Sequence, residues 1–330
     1  MISFVIIGKN EGWRLSKCLE SVKNVAVTDN IKEYEIIYVD SQSSDDSVER
    51  VLGLGNVKIF KITGDCNAAI ARNIGALEAK GSIFFFIDGD MEIQPGFLFK
   101  AMNSRGELIY PCVTGHFDNV FYDIDGIFIS RVPATYKSVI PNNEQELIAN
   151  GGVFIITRKI WEKVGGMKTK YRRSQDLDIT IRLAKVGIKT IRIPFLIVLH
   201  HTVDYLNEKR MWKILFAGNE FYPALLFKCH LGNYKIVLRT IRNSYTSFIL
   251  LILIFWAFIS IKILGVFALL YIVILVGRVY KNSLRAASLE NKFFYFFERI
   301  LLQFARDIAF VLALLFFYPS EKRIEYKQLQ

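Results

Sequence analysis

"FFFIDGDMEI", residues 84–93, is an unbroken apolar run that stops on two carboxylates, Asp88 and Asp90, with one glycine between them. A run of that kind suits a strand buried on both faces, as parallel strands covered by helices are. Upstream of it, strand and helix patterns alternate. They are "SFVII" (3–7), a helical pattern from Leu15 through Leu19 and Val22, "EIIYVD" (35–40), "VKIFKI" (57–62) and a helix near 67–80. The alternation predicts an α/β fold on a mostly parallel open sheet. Ligands of such sheets bind beyond the carboxyl ends of the strands, and "GKNEG", "VDSQSSDDS" and "IDGD" stand at those ends.

Two carboxylates one residue apart at a strand end can reach the same hard cation. Mg²⁺ or Mn²⁺ suits that oxygen pair, with phosphate oxygens and water completing an octahedron. A solvated Asp-Gly turn would have the same sequence. From 108 to 165 the pattern is less regular, with a strand at "GVFII" (152–156) and a helix from Arg158 to Val164 stopped by Gly165 and Gly166. A further helix is predicted at about 174–186, and "IRIPFLIVL" reads as the last strand before His200 and His201.

The 330 residues carry a formal net charge of +11 and are 52% hydrophobic, which is high for a purely soluble protein. Basic residues in the second half crowd around apolar segments, a pattern that favours a cytoplasmic membrane face over nucleic acid, and no nucleic-acid-binding motif is present. Cys18, Cys66, Cys112 and Cys229 have neither CxxC nor ligand-like spacing, which argues against a zinc site or a disulfide framework. The N-terminus has no basic leader, and its apolar run is too short for a signal peptide or a membrane span.

The composition changes beyond His200. Residues 205–245 mix Lys, Arg and aromatics as an amphipathic connector at a membrane surface would. Residues 248–277 are apolar except for Lys262 and a few small polar side chains. As one helix they would measure ~45 Å against a hydrocarbon core of ~30 Å, so a hairpin of two short helices turning near Ser260 to Gly265 is expected, with one long tilted helix the alternative. Residues 293–318 carry Glu298, Arg299, Arg306 and Asp307 and read as an interfacial or re-entrant helix. The expected organisation is a catalytic domain over 1–204, a connector over 205–245 and a membrane domain over 246–330.

"FVIIGKNEGWRLSKCLESV", "YVDSQSSDDS", "ARNIGALEAKGSIFFFIDGD", "NGGVFIITRKIWEKVGGM" and "SQDLDITIRLAKVG" follow one another in an order and spacing that resemble glycosyltransferase family 2. The resemblance covers about residues 1–200. It implies a Rossmann-like GT-A fold and, with the apolar C-terminal part, a membrane-bound, bacterial-type member. In that family an Asp-x-Asp element, matched by Asp88 and Asp90, holds Mn²⁺ or Mg²⁺ on the diphosphate of a nucleotide-sugar. Asp40 matches the aspartate that accepts hydrogen bonds from the base or ribose. Glu11 and Arg72 match positions that meet the nucleotide, and His200 matches a histidine on the metal or diphosphate. Gly151 and Gly152 match an acceptor-side wall. Asp176 matches the base that deprotonates the acceptor hydroxyl, whereas Gln175 replaces the acidic residue usual beside it.

The residues themselves leave other roles open. Asp40 and Asp176 could be turn or capping residues, Glu11 and Arg72 ordinary surface charges, and His200 a packed imidazole. Asp178 has Arg182 four residues on and is better read as its ion-pair partner than as the base. "NEKRMW" lacks the Gln-x-x-Arg-Trp spacing of processive synthases, so transfer of a single sugar is expected.

The expected function is inverting, metal-dependent transfer from a UDP-, GDP- or dTDP-sugar to a lipid-linked or cell-surface glycan at the cytoplasmic membrane face. Membrane lipids are expected partners, and nucleic acid is not. Lys209, Arg210, Lys213, Arg239 and Arg242 are candidates to meet lipid headgroups. The alternatives are transfer to a polyprenyl phosphate and a non-catalytic nucleotide-sugar sensor.

Overall fold

The computed structural model describes residues 1–123, 125–133, 142–203, 208–257, 261–283 and 292–330, side chains at 203, 208–210, 257, 261–264, 282, 283 and 292–294 excepted. The chain divides into two compact units, Met1–Asp204 with Glu321–Gln330, and Tyr205–Ser320.

The first unit opens with the expected alternation: β1 (Ile2–Gly8), α1 (Trp13–Thr28), β2 (Tyr34–Asp40), α2 (Ser47–Val51), β3 (Val57–Ile62), α3 (Ala68–Glu78) and β4 (Ile83–Asp88). β1 lies parallel between β2 and β4, and β3 lies parallel to β2 on its outer side. There follow β5 (Met91–Ile93), α4 (Phe97–Ala101), β6 (Cys112–Tyr122), β7 (Phe128–Pro133), β8 (Gln145–Leu147), β9 (Phe154–Thr157), α5 (Arg158–Lys163), α6 (Gln175–Lys185) and β10 (Thr190–Val203).

In this half the sheet is mixed rather than mostly parallel. β9 runs antiparallel to both β4 and β6, β10 runs parallel to β6, and β5 and β8 run antiparallel to β10. Parallel neighbours need a crossover of a dozen or more residues, usually helical, and the stretch from 108 to 153 holds no described helix to supply one.

The two faces of the sheet are covered by different helices. Leu15, Leu19 and Val22 of α1 pack with Phe4, Ile6, Phe85 and Ile87 on one side. Ile70 and Ile74 of α3 and Trp161 of α5 pack with Val5, Phe84, Phe86 and Phe154 on the other. Phe86 stands 4.6 Å from Trp161 and 5.0 Å from Phe154, ring centre to ring centre. Full burial of each such side chain stabilises by roughly 1.5–3 kcal/mol. A Cβ on Gly75 would stand 2.1 Å from Val5 Cγ1, so the glycine lets α3 sit directly on β1. That close seating brings Arg72, one turn earlier on α3, to the end of β4.

The second unit holds α7 (Glu208–Phe216), α8 (Tyr222–Cys229), α9 (Tyr234–Ala257), α10 (Ile261–Ser283) and α11 (Lys292–Phe316). α9 begins inside the expected connector and is 24 residues long, and α10 is 23, so the helices are not the short pair predicted. Part of the expected turn, 258–260, and most of the basic stretch after it, 284–291, lie outside the described residues, as do the side chains of Lys209 and Arg210. Among the described residues one segment, Tyr234–Trp256, is long and apolar enough to cross a membrane.

The charges of α11, which the sequence reading put in an interfacial or re-entrant helix, have partners within the second unit. Asp307 is 1% exposed and accepts hydrogen bonds from Thr246, Ser247, Tyr271 and Gln303. Donors from three helices make that buried carboxylate tolerable. Arg306 pairs with Glu220 at 3.1 Å.

The expected membrane domain also included the tail. The tail belongs to the first unit, where β11 (Tyr326–Gln328) pairs antiparallel with the outer edge of β3.

Candidate active site

β4 ends on Asp88, and the chain turns through Gly89 and Asp90 into β5. The Gly89 N–H donates to Ile7 O at 2.7 Å and the His201 N–H donates to Asp90 O at 2.8 Å, so β1 and β10 fix the turn from both sides. Asp88 has the sidedness of Phe84 and Phe86 and meets α3: Arg72 Nη2 donates to Asp88 Oδ1 at 2.5 Å and to Gly152 O at 3.0 Å. Arg72 is only 2% exposed, and these two bonds brace the turn. Burial, with Asp90 beside it, raises the Asp88 carboxyl to about 6 despite Arg72.

Asp90 Oδ2 meets His200 Nε2 at 3.1 Å, and His200 Nδ1 meets Asn119 Oδ1 at 2.8 Å. Asp90 Oδ1 is buried without a partner. Burial disfavours the charged imidazole, but the hydrogen bond and charge of Asp90 outweigh it and raise the pKa of His200. Register explains the meeting, since His200 of β10 is paired across from Met91, the residue after Asp90.

Glu11, in the loop after β1, leans on the same turn: a Cβ on Gly89 would stand 3.1 Å from Glu11 Cγ. It pairs with Arg14 at 3.0 Å. Burial, and then the charge of Asp90, raises its carboxyl to about 7. Gly152 faces Asp88, and a Cβ there would overlap Asp88 Oδ2 at 2.0 Å. Gly151 has φ +67° and open space beside it.

Three expected site residues sit on other elements. Asp40 is fully buried at the end of β2, where Tyr38 OH donates to its Oδ1 at 3.1 Å and Ser43 N–H to its Oδ2 at 3.0 Å. Its carboxylate shapes the loop that follows. Asp176 and Gln175 occupy the first turn of α6, after Ser174 in the left-handed region at φ 67°. Gln175 Oε1 is buried without a partner. Asp178 pairs with Arg182 at 2.7 Å, as its spacing predicted.

Sequence reasoning did not find Asn119, which orients His200, nor the pairing of His201 with Glu92 at 2.8 Å and with Tyr122 OH at 2.9 Å. The signal was faint: polar residues inside "GHFDNVFY", with no strand pattern strong enough to assign them a face.

Among the described residues no group of three or more His, Cys, Asp or Glu side chains gathers as a metal cage. The residues nonetheless fit a Mg²⁺- or Mn²⁺-type ion. Asp90 presents a free buried oxygen next to an imidazole, and such ions commonly take one or two carboxylates and complete their shell with substrate phosphates and water. Asp88, held by Arg72, is the less available ligand.

Residues 3–165 match the glycosyl transferase family 2 profile. The N-acetyl-beta-glucosaminyl-glycoprotein 4-beta-N-acetylgalactosaminyltransferase 1 of Mus musculus is 26% identical over 222 residues, 64% of this chain. The chain spans about a fifth of that relative's length. Two solved structures are similar at low identity. GalNAc-T7 with UDP, GalNAc and Mn²⁺ is 20% identical at TM-score 0.47, covering 62% of this chain and 44% of its own. TarS 1–349 of S. aureus with UDP-GlcNAc is 14% identical at TM-score 0.48, covering 65% and 64%. The profile match covers just under half of the chain and falls on the mixed α/β sheet of the first unit.

Proposed function

We propose that the protein is an inverting, metal-dependent glycosyltransferase that moves one sugar from a nucleotide-sugar to a lipid-linked or cell-surface glycan at the cytoplasmic face of a membrane. The observation that carries this reading is the braced acidic turn. Asp90 has one carboxylate oxygen on His200 and the other unpartnered, at the carboxyl edge of β4. The UDP-sugar chemistry named for the similar proteins supports a UDP-sugar donor.

Asp90 and His200 would hold Mn²⁺ or Mg²⁺, which when bound supplies positive charge to the departing diphosphate. The chain does the rest. Arg72 keeps Asp88 ionised and in place, Gly152 leaves room beside it, and Asp40 and Glu11 border the nucleotide side. Asp176, at the positive end of the α6 dipole, takes the proton of the acceptor hydroxyl as the new bond forms. Displacement by a single activated hydroxyl inverts the anomeric carbon.

The membrane reading rests on the apolar segment Tyr234–Trp256 and the basic residues near it, among them Lys213, Arg239 and Arg242. The return of the tail to the sheet favours an even number of crossings.

The test is nucleoside-diphosphate release from a panel of nucleotide-sugars with and without metal and lipid extract, with Asp176→Asn for comparison. Loss of at least a hundredfold in kcat for Asp176→Asn with a hydroxyl acceptor supports the base assignment. Activity retained in that variant when polyprenyl phosphate is supplied turns the reading to the phosphate acceptor. Donor binding without release from any donor turns it to the sensor.

A further inference from the structure

Two basic side chains stand beside the site without a role in it. His116 of β6 is 1% exposed, and neither ring nitrogen has a hydrogen-bond partner. Arg192 of β10 is half-buried, its Nε is closed off and unpartnered, and among the described residues no carboxylate forms an ion pair with it. Asp118, two residues after His116, is taken by Arg131 at 2.7 Å.

The strand register places both on the side of the sheet from which Asp88 meets Arg72. Thr190 pairs with Cys112 and Arg192 with Thr114, while the irregular stretch containing Pro194 separates Arg192 from Leu196, the partner of His116. Cys112 shares a buried cluster with Phe84, Phe86 and Phe154. Side chains alternate at a period of two, so Thr114, His116 and Arg192 continue on that face. Phe154 pairs with Phe86, and Val113 with Ile155. His116 is therefore level with Asp88 and two strand spacings, about 10 Å, across from it.

Buried donors ordinarily find partners, and a half-buried guanidinium ordinarily finds an anion. Here the two groups work against each other: burial, and then the charge of Arg192, lowers the proton affinity of His116.

We infer that Arg192 and His116 form a subsite for one anionic group, a carboxylate or a phosphate, carried by the donor sugar or by the acceptor. A guanidinium can grip such a group with two parallel N–H donors and a neutral imidazole can add a third, which gives orientation as well as charge. Only the identity of the carrier rests on the glycosyl-transfer reading.

The test has a binding arm and a kinetic arm, both on the full chain in detergent. Glucuronate, inorganic phosphate and glucose are titrated calorimetrically into the wild type, Arg192→Gln, Arg192→Lys and His116→Gln. Saturable binding of glucuronate or phosphate but not glucose, weakened at least tenfold in Arg192→Gln and less in Arg192→Lys, supports the subsite. No anion binding by the wild type, or equal binding by Arg192→Gln, overturns it, whatever the turnover assay gives.

In the kinetic arm, a nucleotide-sugar with a carboxylate on the sugar is compared with its neutral counterpart, and an anionic acceptor with a neutral one. A rise in KM confined to the charged donor assigns the subsite to the donor, and one confined to the charged acceptor assigns it to the acceptor. Equal effects on charged and neutral substrates overturn the inference. Absence of turnover with every donor counts against the glycosyl-transfer reading and leaves the binding arm to decide the subsite.

Discussion

Arg72 is the side chain on which the acidic turn depends most. Itself buried, it pairs with the half-buried Asp88 carboxylate and anchors Gly152 O in the same grip. Arg72→Met should lower unfolding free energy by about 1–3 kcal/mol in chemical denaturation, because the half-buried Asp88 then loses its charged partner. Arg72→Lys should recover only part, since one ammonium does not reproduce a guanidinium's fork. Gly152→Ala should reduce turnover while leaving the fold intact by circular dichroism, as the new methyl drives Asp88 from its position. Asp88, Asp90 and His200 were legible in the sequence because polar residues after apolar strands mark the ligand edge. The burial of Arg72 was not, because helical spacing alone does not say which face of α3 meets the sheet. Asn119 was hidden for a similar reason: its strand has mixed polar and apolar residues and no visible period.

Strand β2 shows how a charge can be part of an element's seating. Glu35 accepts from Lys58 Nζ at 2.7 Å, from Ser3 Oγ at 2.7 Å and from the N–H groups of Lys80 and Gly81. Burial opposes its charge, but these donors prevail and hold its pKa below 4.5. A depressed carboxyl stabilises above its unfolded pKa, and that contribution is lost as pH falls through the folded value. Glu35→Gln should therefore cost about 1–3 kcal/mol at pH 7 and reduce the loss of stability seen on acidification below pH 4.5.

β1 to β4 and their helices were readable from unbroken apolar runs and helical spacing. β11 was not, because "YKQ" has no apolar pattern and becomes a strand only against the open edge of β3. Truncation after Ser320 removes that strand and the hydrogen bond from Tyr326 OH to Glu78 at 2.5 Å, and should lower the denaturation midpoint of the first unit.

The fold returns the end of the chain to its beginning, because β10 and β11 belong to one sheet on either side of the intervening 205–320 segment. If helices of that segment cross a bilayer, the crossings must be even in number. Gln330→Cys should then be labelled by a membrane-impermeant maleimide from the same side as the surface reference Leu77→Cys, and labelling from opposite sides would contradict the two-crossing topology. The apolar character of the C-terminal part was legible from composition, but the lengths and bounds of its helices and the tail's return depend on long-range pairing that no local window contains.

The role of the acidic turn is read out by nucleoside-diphosphate release from UDP-sugars by the purified full chain, wild type beside Asp90→Ala, with Mn²⁺ or EDTA. Release should require metal and fall by at least a hundredfold in Asp90→Ala, with the variant's fold unchanged. Equal release by both proteins, or release untouched by EDTA, would contradict it.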